Sequence, residues 1–158
     1  MITFYDFYNN KVQLTFSQRQ LEEKAKHVWV ICRYENSWLL TKHSDRGLEF
    51  PGGKVEMGEK PVEAAIREVK EETGGTVGDI FYLGQYIVKG KKETVTKNIY
   101  FAEIVLLEKQ STYYETDGPV LMEELPSNVQ NNANYSFIMK DDVLIYSMEK
   151  IKELFQIE

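Results

Sequence analysis

The sequence predicts an α/β (α+β) fold, a mixed β-sheet sandwiched between helices, and three observations carry that prediction. Runs rich in Val, Ile, Tyr and Phe recur between turn residues, a helix with its own start and stop signals interrupts them near the middle, and a second stretch of helical spacing comes last. With 158 residues there is one domain's worth of chain, residues 1–158, enough for a sizeable core and too little for two ordinary domains.

Taken in order, residues 12–16 alternate apolar and polar side chains as a half-buried strand does, and residues 17–26 are polar and read as a connection. Residues 27–34 and 37–41 are β-rich and separated by Glu35-Asn36, which is hairpin spacing with a weaker turn signal than Asn-Gly. A charged loop over 42–47 follows, and Leu48-Glu49-Phe50 leads through Pro51-Gly52-Gly53 into the central stretch. Pro61 suits the first position of a helix because the N–H it lacks has no intrahelical partner there, and Glu63 is placed to reach back to the backbone of Lys60. Val62, Ile66, Val69 and Thr73 recur at helical spacing and give the face that packs on the sheet, with Gly74-Gly75 as the stop. Residues 61–73 make a helix about 20 Å long at ~1.5 Å per residue. Residues 77–88 and 94–107 read as two more strands around the loop 89–93. Tyr113-Tyr114-Glu115, the turn Thr116-Asp117-Gly118 and residues 119–124 add short β segments before an Asn-rich loop over 126–134. Val143, Met148, Ile151 and Phe155 place a closing helix over 138–155.

Composition narrows the function. Hydrophobic residues at 42% and charged ones at 28% fit a globular protein, and a net charge of −6 argues against coating nucleic acid along its length, which needs many Lys and Arg facing one polyanion. A nucleic-acid ligand touched only at its terminus is compatible with that charge. Cys32 is the only cysteine, so no internal disulfide forms, and its apolar neighbours make it a small core residue of a reducing compartment. The first residues lack a basic region followed by an apolar stretch, and nowhere do eighteen apolar residues run together, so a cytoplasmic protein without a membrane partner is expected. Nothing in the sequence calls for a stable protein partner.

One stretch, residues 53–75, states a chemistry. Glu68 and Glu72 are four apart and share a helix face with Cβ atoms ~5–6 Å apart, and Glu71 adjoins Glu68 at the three-residue spacing. Like charges so placed repel, and divalent cations offset the repulsion; oxygen-only donors without Cys or His point to Mg²⁺ or Mn²⁺ rather than Zn²⁺. Arg67 can pair with Glu63 or Glu71 and hold a carboxylate in position. A solvated acidic helix face is the ordinary explanation of such a run, and the spacing decides against it. Gly53, Glu59, Arg67, Glu68, Val69, Glu71, Glu72 and Gly74 fit G-x5-E-x7-R-E-U-x-E-E-x-G-U, where U is a bulky aliphatic. With average residue usage the seven fixed letters coincide on the order of once in 10⁸ start positions.

That pattern is similar to the signature of the Nudix hydrolases, departing only at Gly75, where the family prefers a bulky aliphatic. The resemblance implies a Nudix fold and hydrolysis of a nucleoside diphosphate linked to another group. By similarity, Glu68 and Glu72 are principal metal ligands, Glu71 binds or orients a second ion, Glu59 supports the loop–helix junction and the metal cluster, and the Gly52 carbonyl oxygen is a further ligand. Two or more Mg²⁺ or Mn²⁺ ions are implied. The base varies across the family, and Glu68 is taken here. A carboxylate outside the box is often recruited; Glu115 is chosen because Tyr-Glu-Thr-Asp-Gly-Pro resembles the Glu-containing loop of MutT-type enzymes, ahead of Glu103 in a strand and Glu93 in a loop. Its ordinary alternative is a solvated turn residue. Lys54 adds a phosphate contact or is an exposed surface lysine.

Segments across most of the chain, among them VQLTF, HVWVICRY, FPGGKVE, KNIYFAEI and FIMKDDV, resemble the Nudix proteins of Gram-positive bacteria described as 8-oxo-dGTP diphosphatases and as RNA 5′-pyrophosphohydrolases. The substrate so implied is a nucleoside triphosphate, the 5′ end of RNA, or both. Asn134 resembles a MutT-type asparagine that reads a purine edge, since an amide donates and accepts together, though an Asn in this loop is also an ordinary turn former. Phe137, Tyr86 and Tyr135 can stack on a base, with core packing as the alternative. Lys97, with Lys89, Lys91 and Lys92, can guide an RNA end, or these lysines form a solvated hairpin tip. Two further readings are a hydrolase of another nucleoside diphosphate derivative, such as a nucleotide sugar or dinucleoside polyphosphate, and a non-catalytic nucleotide-binding regulatory module; such modules commonly lose box carboxylates, and none is lost here. Neither His27 nor His43 sits in a metal-ligand or triad pattern.

Overall fold

A computed structural model describes residues 1–18 and 24–157, so residues 19–23 of the expected polar connection and Glu158 lie outside the described residues. The strands are β1 (Ile2–Tyr5), β2 (Lys11–Thr15), β3 (His27–Tyr34), β4 (Ser37–His43), β5 (Gly47–Glu49), β6 (Gly52–Lys54), β7 (Gly75–Lys89), β8 (Thr94–Leu107) and β9 (Thr116–Met122). The helices are α1 (Pro61–Thr73) and α2 (Asp142–Phe155). One mixed sheet runs β1-β2-β7-β8-β3-β4-β5, with β6 on β3 and β9 on β4; β3 and β8 are parallel, from His27 opposite Lys97 to Tyr34 opposite Ile104. Among the described residues, no helix is long and apolar enough to cross a membrane.

The strands at the centre are buried on both faces, and their alternation divides the core in two. Val28, Val30 and Cys32 of β3 join Leu39, Tyr100, Ala102 and Ile104 under Ala64, Ala65 and Val69 of α1. Trp29 and Ile31 point the other way, with Trp38, Leu40, Ile99 and Phe101, under Val143, Leu144 and Ile151 of α2. Cys32 is buried, and burial pushes its thiol pKa up, the expected behaviour of a packing residue rather than a nucleophile.

The opening that becomes the site arises where β3 changes partner. β4 pairs with β3 over Cys32–Tyr34 and β6 pairs with it over His27–Trp29, with Val30 N–H donating to Pro51 O at 2.8 Å between them. Glycine is needed in β6 because the backbone is pressed on both sides. A Cβ on Gly52 would lie 2.4 Å from Val28 O, and one on Gly53 2.6 Å from the Glu68 carboxyl carbon.

Several elements differ from the sequence expectation. β1 was not expected: it is an outer strand whose side chains are exposed or half-buried, so its sequence lacks a clean apolar face. β5 and β6 have three residues each, too short for a period of two to register, and they replace the expected loop and lead-in. On α1, Ile66 is 42% exposed and Ala64 and Ala65 take its place against the sheet, small residues that let the helix approach closely. The closing helix starts at Asp142, because Ser136 caps a 3₁₀ turn over Phe137–Met139 and the Asp141 side chain accepts from Val143 N–H at 2.9 Å.

Gly75 opens β7, and the space a bulky aliphatic would take is already full. A Cβ there would meet Thr73 Oγ1 at 2.9 Å, Ile104 Cγ2 at 3.2 Å and Leu39 Cδ2 at 3.4 Å. Gly75→Ile, which restores the family preference, is therefore expected to destabilise the protein by about 1–3 kcal/mol through overpacking. The midpoint of urea unfolding checks this, and an unchanged midpoint would show that the neighbours yield freely.

Candidate active site

α1 begins on the signals read from the sequence: Glu63 Oε1 accepts from Lys60 N–H at 2.8 Å, and Gly74 closes it at φ 78°, donating to Lys70 O at 2.9 Å. With both ends fixed, Arg67, Glu68, Glu71 and Glu72 face β6. Glu63 is engaged by this cap, so of the two partners expected for Arg67 the structure pairs it with Glu71. Arg67 makes a wider set of bonds than expected. It grips Glu59 with two N–H groups, Nε to Oε2 at 2.8 Å and Nη2 to Oε1 at 3.0 Å, and Nη1 reaches Glu68 Oε1 at 2.6 Å and Glu71 Oε2 at 3.2 Å. Nη2 also donates to Lys54 O at 2.9 Å, tying the loop to the helix.

Glu72 lies deeper and is 6% exposed; its Oε1 accepts from Gly52 N–H at 3.0 Å. Burial raises its pKa to about 9, with the charges of Glu68 and Glu49 adding to the rise and the Gly52 N–H opposing it. Burial also raises Glu68, against the pull of Arg67. Glu59 moves the other way, held down by its hydrogen bonds to Arg67. Among the described residues, no three acidic, His or Cys side chains are already spaced as a metal cage; Glu59, Glu68 and Glu71 converge on the Arg67 guanidinium instead. The donor set nonetheless fits a hard divalent cation: it is oxygen-only, and the half-buried Glu68 lies close enough to the buried Glu72 for its charge to add to the rise there.

Gly52, Arg67, Glu68, Glu71 and Glu72 line one side of a cleft of about 880 Å³, with Glu59 behind them on Arg67 and not in the lining. Lys54, Lys97, Glu115 and Phe137 line it too, so the structure brings most of the expected set together. Lys97 is half-buried, its ammonium 5.8 Å from the Tyr86 ring, and burial lowers its pKa. A second hollow of about 590 Å³ opens beside the cleft and shares His27, Lys97, Phe137 and Ile138 with it; Tyr86, Tyr8, Lys91, Lys92 and Asp141 also line it. Tyr86 is 4% exposed and meets Trp29 edge-on, so it serves the core as well as this hollow. Tyr135 is a core residue whose hydroxyl donates to Met122 Sδ at 3.1 Å.

Asn134 is not brought to the cleft. Its carbonyl accepts from Leu48 N–H at 2.9 Å, its own N–H donates to Asn132 Oδ1 at 3.0 Å, and it lines shallow hollows with Gly47, Leu48 and Tyr135. Arg46 and Glu49 are among the cleft residues that were not anticipated. Arg46 forms a two-pronged pair with the buried Glu49, at 3.0 and 2.9 Å, and faces the acidic helix across the cleft. They arrive through the β4–β5 hairpin, a placement set by strand pairing rather than local pattern; the one sequence signal was a charged Glu49 between the apolar Leu48 and Phe50.

The NUDIX domain model matches residues 21–120. The chain belongs to the Nudix family. It is 58% identical over 153 residues, 97% of each protein, to YtkD of Bacillus subtilis (strain 168), named as a provisional 8-oxo-dGTP diphosphatase. A crystal structure of the Bacillus subtilis pyrophosphohydrolase BsRppH, an E68A mutant, matches with a TM-score of 0.97 at 57% identity over 100% of both chains. The 8-oxo-dGTP diphosphatase of Escherichia coli (strain K12) is 59% identical over 54 residues, 31% of this chain and 42% of that protein. The sheet and its two helices are the Nudix fold, the protein is a Nudix hydrolase, and hydrolases of this family generally use divalent metal ions.

Proposed function

We propose that this Nudix hydrolase is a pyrophosphohydrolase of 5′-triphosphates, converting RNA 5′-triphosphate to 5′-monophosphate, 8-oxo-dGTP to its monophosphate, or both. The observation that carries this is the junction of the acidic cleft with the aromatic and basic hollow: the first suits phosphates, the second a base, and Lys97 and Phe137 line both. The names of the Bacillus subtilis relatives, one a provisional 8-oxo-dGTP diphosphatase and one a pyrophosphohydrolase, agree with it. The cofactor is Mg²⁺ or Mn²⁺, two or more ions, which when bound neutralise polyphosphate charge and lower the pKa of a water for in-line attack on phosphorus.

The protein's own groups divide the work. Glu68 is the base and, with Glu59, Glu71, Glu72 and the Gly52 carbonyl, supplies oxygen ligands; Arg67 keeps Glu59, Glu68 and Glu71 converged. Lys54 and Lys97 meet phosphate oxygens, and Phe137 and the edge of Tyr86 flank the base. Glu115 contributes a carboxylate from the opposite rim. Asn134, held against Leu48, is not part of this proposal. The domain over residues 1–158 acts in the cytoplasm without a membrane or a stable protein partner.

Incubation with Mg²⁺ or Mn²⁺ and, separately, 5′-triphosphate RNA, dGTP and 8-oxo-dGTP tests the proposal. Release of pyrophosphate or phosphate from triphosphate RNA or 8-oxo-dGTP is the expected result. No turnover on any of the three overturns the substrate assignment.

A further inference from the structure

Glu115 stands on the rim of the cleft with its side chain 87% exposed, yet its backbone is bolted in place. Ser44 Oγ donates to Glu115 O at 2.7 Å and Ser44 N–H donates to the same oxygen at 3.3 Å. The next residue, Thr116, donates its hydroxyl to Glu72 O at 3.1 Å, and Thr41 donates to that carbonyl at 3.0 Å, so the Glu115 turn is fastened to the acidic helix itself.

His43 completes this fastening. The β4–β9 register places His43 opposite Thr116, past an irregularity after Thr41, and so beside Glu115. The backbone N–H groups of Asp45 and Arg46 both donate to His43 Nδ1 at 3.1 Å. A backbone N–H only donates, so Nδ1 offers its lone pair and the proton of the neutral ring sits on Nε2. The ring is 7% exposed and cannot turn away without losing both bonds. Nε2 lies 4.0 Å from Glu115 Oε2, about 1 Å beyond a hydrogen bond and within reach of a side-chain rotation.

The geometry points to His43 as a positioning residue: its Nε2–H holds the Glu115 carboxylate over the cleft, while Ser44 fixes the backbone beneath it. A free glutamate loses rotamer freedom when it is captured, and holding it beforehand removes that loss from the reacting complex. The inference rests on the proposed role of Glu115 in hydrolysis.

Two isosteres separate this role from a structural one. In His43→Asn the amide oxygen takes the place of Nδ1 and keeps the turn at 45–46 but removes the Nε2 donor. In His43→Gln the amide nitrogen takes the place of Nε2 and keeps the donor. With 5′-triphosphate RNA and Mg²⁺, His43→Asn is expected to lower kcat about tenfold with KM little changed, as loss of a partner that orients a site carboxylate does. His43→Gln should retain more of the rate than His43→Asn, whereas a residue needed only for the turn would give the reverse order. In a Glu115→Ala background the His43→Asn loss should vanish. Independently of activity, Glu115→Ala should shift the His43 Nε2 signal in the imidazole ¹⁵N spectrum. Wild-type kcat in His43→Asn, losses that multiply in the double variant, or an unmoved Nε2 signal overturns the inference alone. Wild-type kcat in Glu115→Ala removes Glu115 from the proposed function and the inference with it.

Discussion

Glu68→Gln is expected to lower kcat on the triphosphate substrate by about 10²–10⁴-fold, the range associated with a positioned general base, while leaving the protein folded. The expected loss follows from what glutamine lacks: it cannot take a proton from water and is a poorer ligand for a hard cation. Preservation of the fold follows from the surroundings. The Glu68 carboxyl lies against the backbone of Gly53, where a Cβ would come within 2.6 Å of its carboxyl carbon, so the flat, equal-sized amide fits where a bulkier group does not. Arg67 gives up its 2.6 Å contact to a charge but keeps Glu59, Glu71 and the Lys54 carbonyl, so the loop stays tied to α1. Equal circular-dichroism spectra with a kcat loss in this range are the expected result. A wild-type rate in Glu68→Gln removes both the base and the ligand assignment.

The boundaries of α1 and the acidic spacing within it were legible in the sequence because they depend on contacts of at most a few residues' separation: Pro61 and Glu63 at one end, Gly74 at the other. β3 and β8 were legible for a related reason, since their middle residues, 28–32 and 99–102, are buried on both faces and written in continuous apolar residues. What escaped depends on pairing. β6 exists because β3 exchanges one neighbour for another, and His43, Arg46 and Glu49 reach the cleft because β4 turns back through β5 and takes β9 on its other edge. No periodicity within residues 42–49 reports that placement. Asn134 shows the converse: a suitable amide in a suitable loop is carried away from the cleft because its backbone is held by Leu48 and by the Asn132 side chain, a placement that depends on the bridge between Leu48 and Tyr135. The start of α2 was misread although its signal was present, because Asp141 is a capping residue and the apolar run before it extends the helical pattern across a 3₁₀ turn.

Glu72→Gln is expected to stabilise the protein without cation and to disable it. Glu72 is buried beside Glu68, and burial above all, then the nearby charges, lifts its carboxyl from an ordinary value of 4.5 to about 9. A carboxyl raised in the folded state binds a proton that the unfolded chain has released. Its contribution is therefore fully present below about 4.5 and is lost as pH rises toward 9. Glutamine cannot ionise, yet its amide oxygen still accepts from Gly52 N–H, the bond that Glu72 makes at 3.0 Å. In chelator at pH 8, Glu72→Gln should gain at least ~1.4 kcal/mol of unfolding free energy, the equivalent of a single pKa unit, and stability should fall less steeply between pH 5.5 and 8.5 than in the wild type. Added Mg²⁺ should reverse the order: the wild type gains stability by mass action on a bound ion, and the variant, short of a carboxylate ligand, gains less and loses most of its turnover. Urea unfolding at the two pH values, with and without Mg²⁺, checks each part. An unchanged midpoint and pH slope in chelator would mean that Glu72 is not strained by its neighbours. If the prediction holds, the acidic face is a place where stability is given up so that carboxylates stay close enough to share a cation.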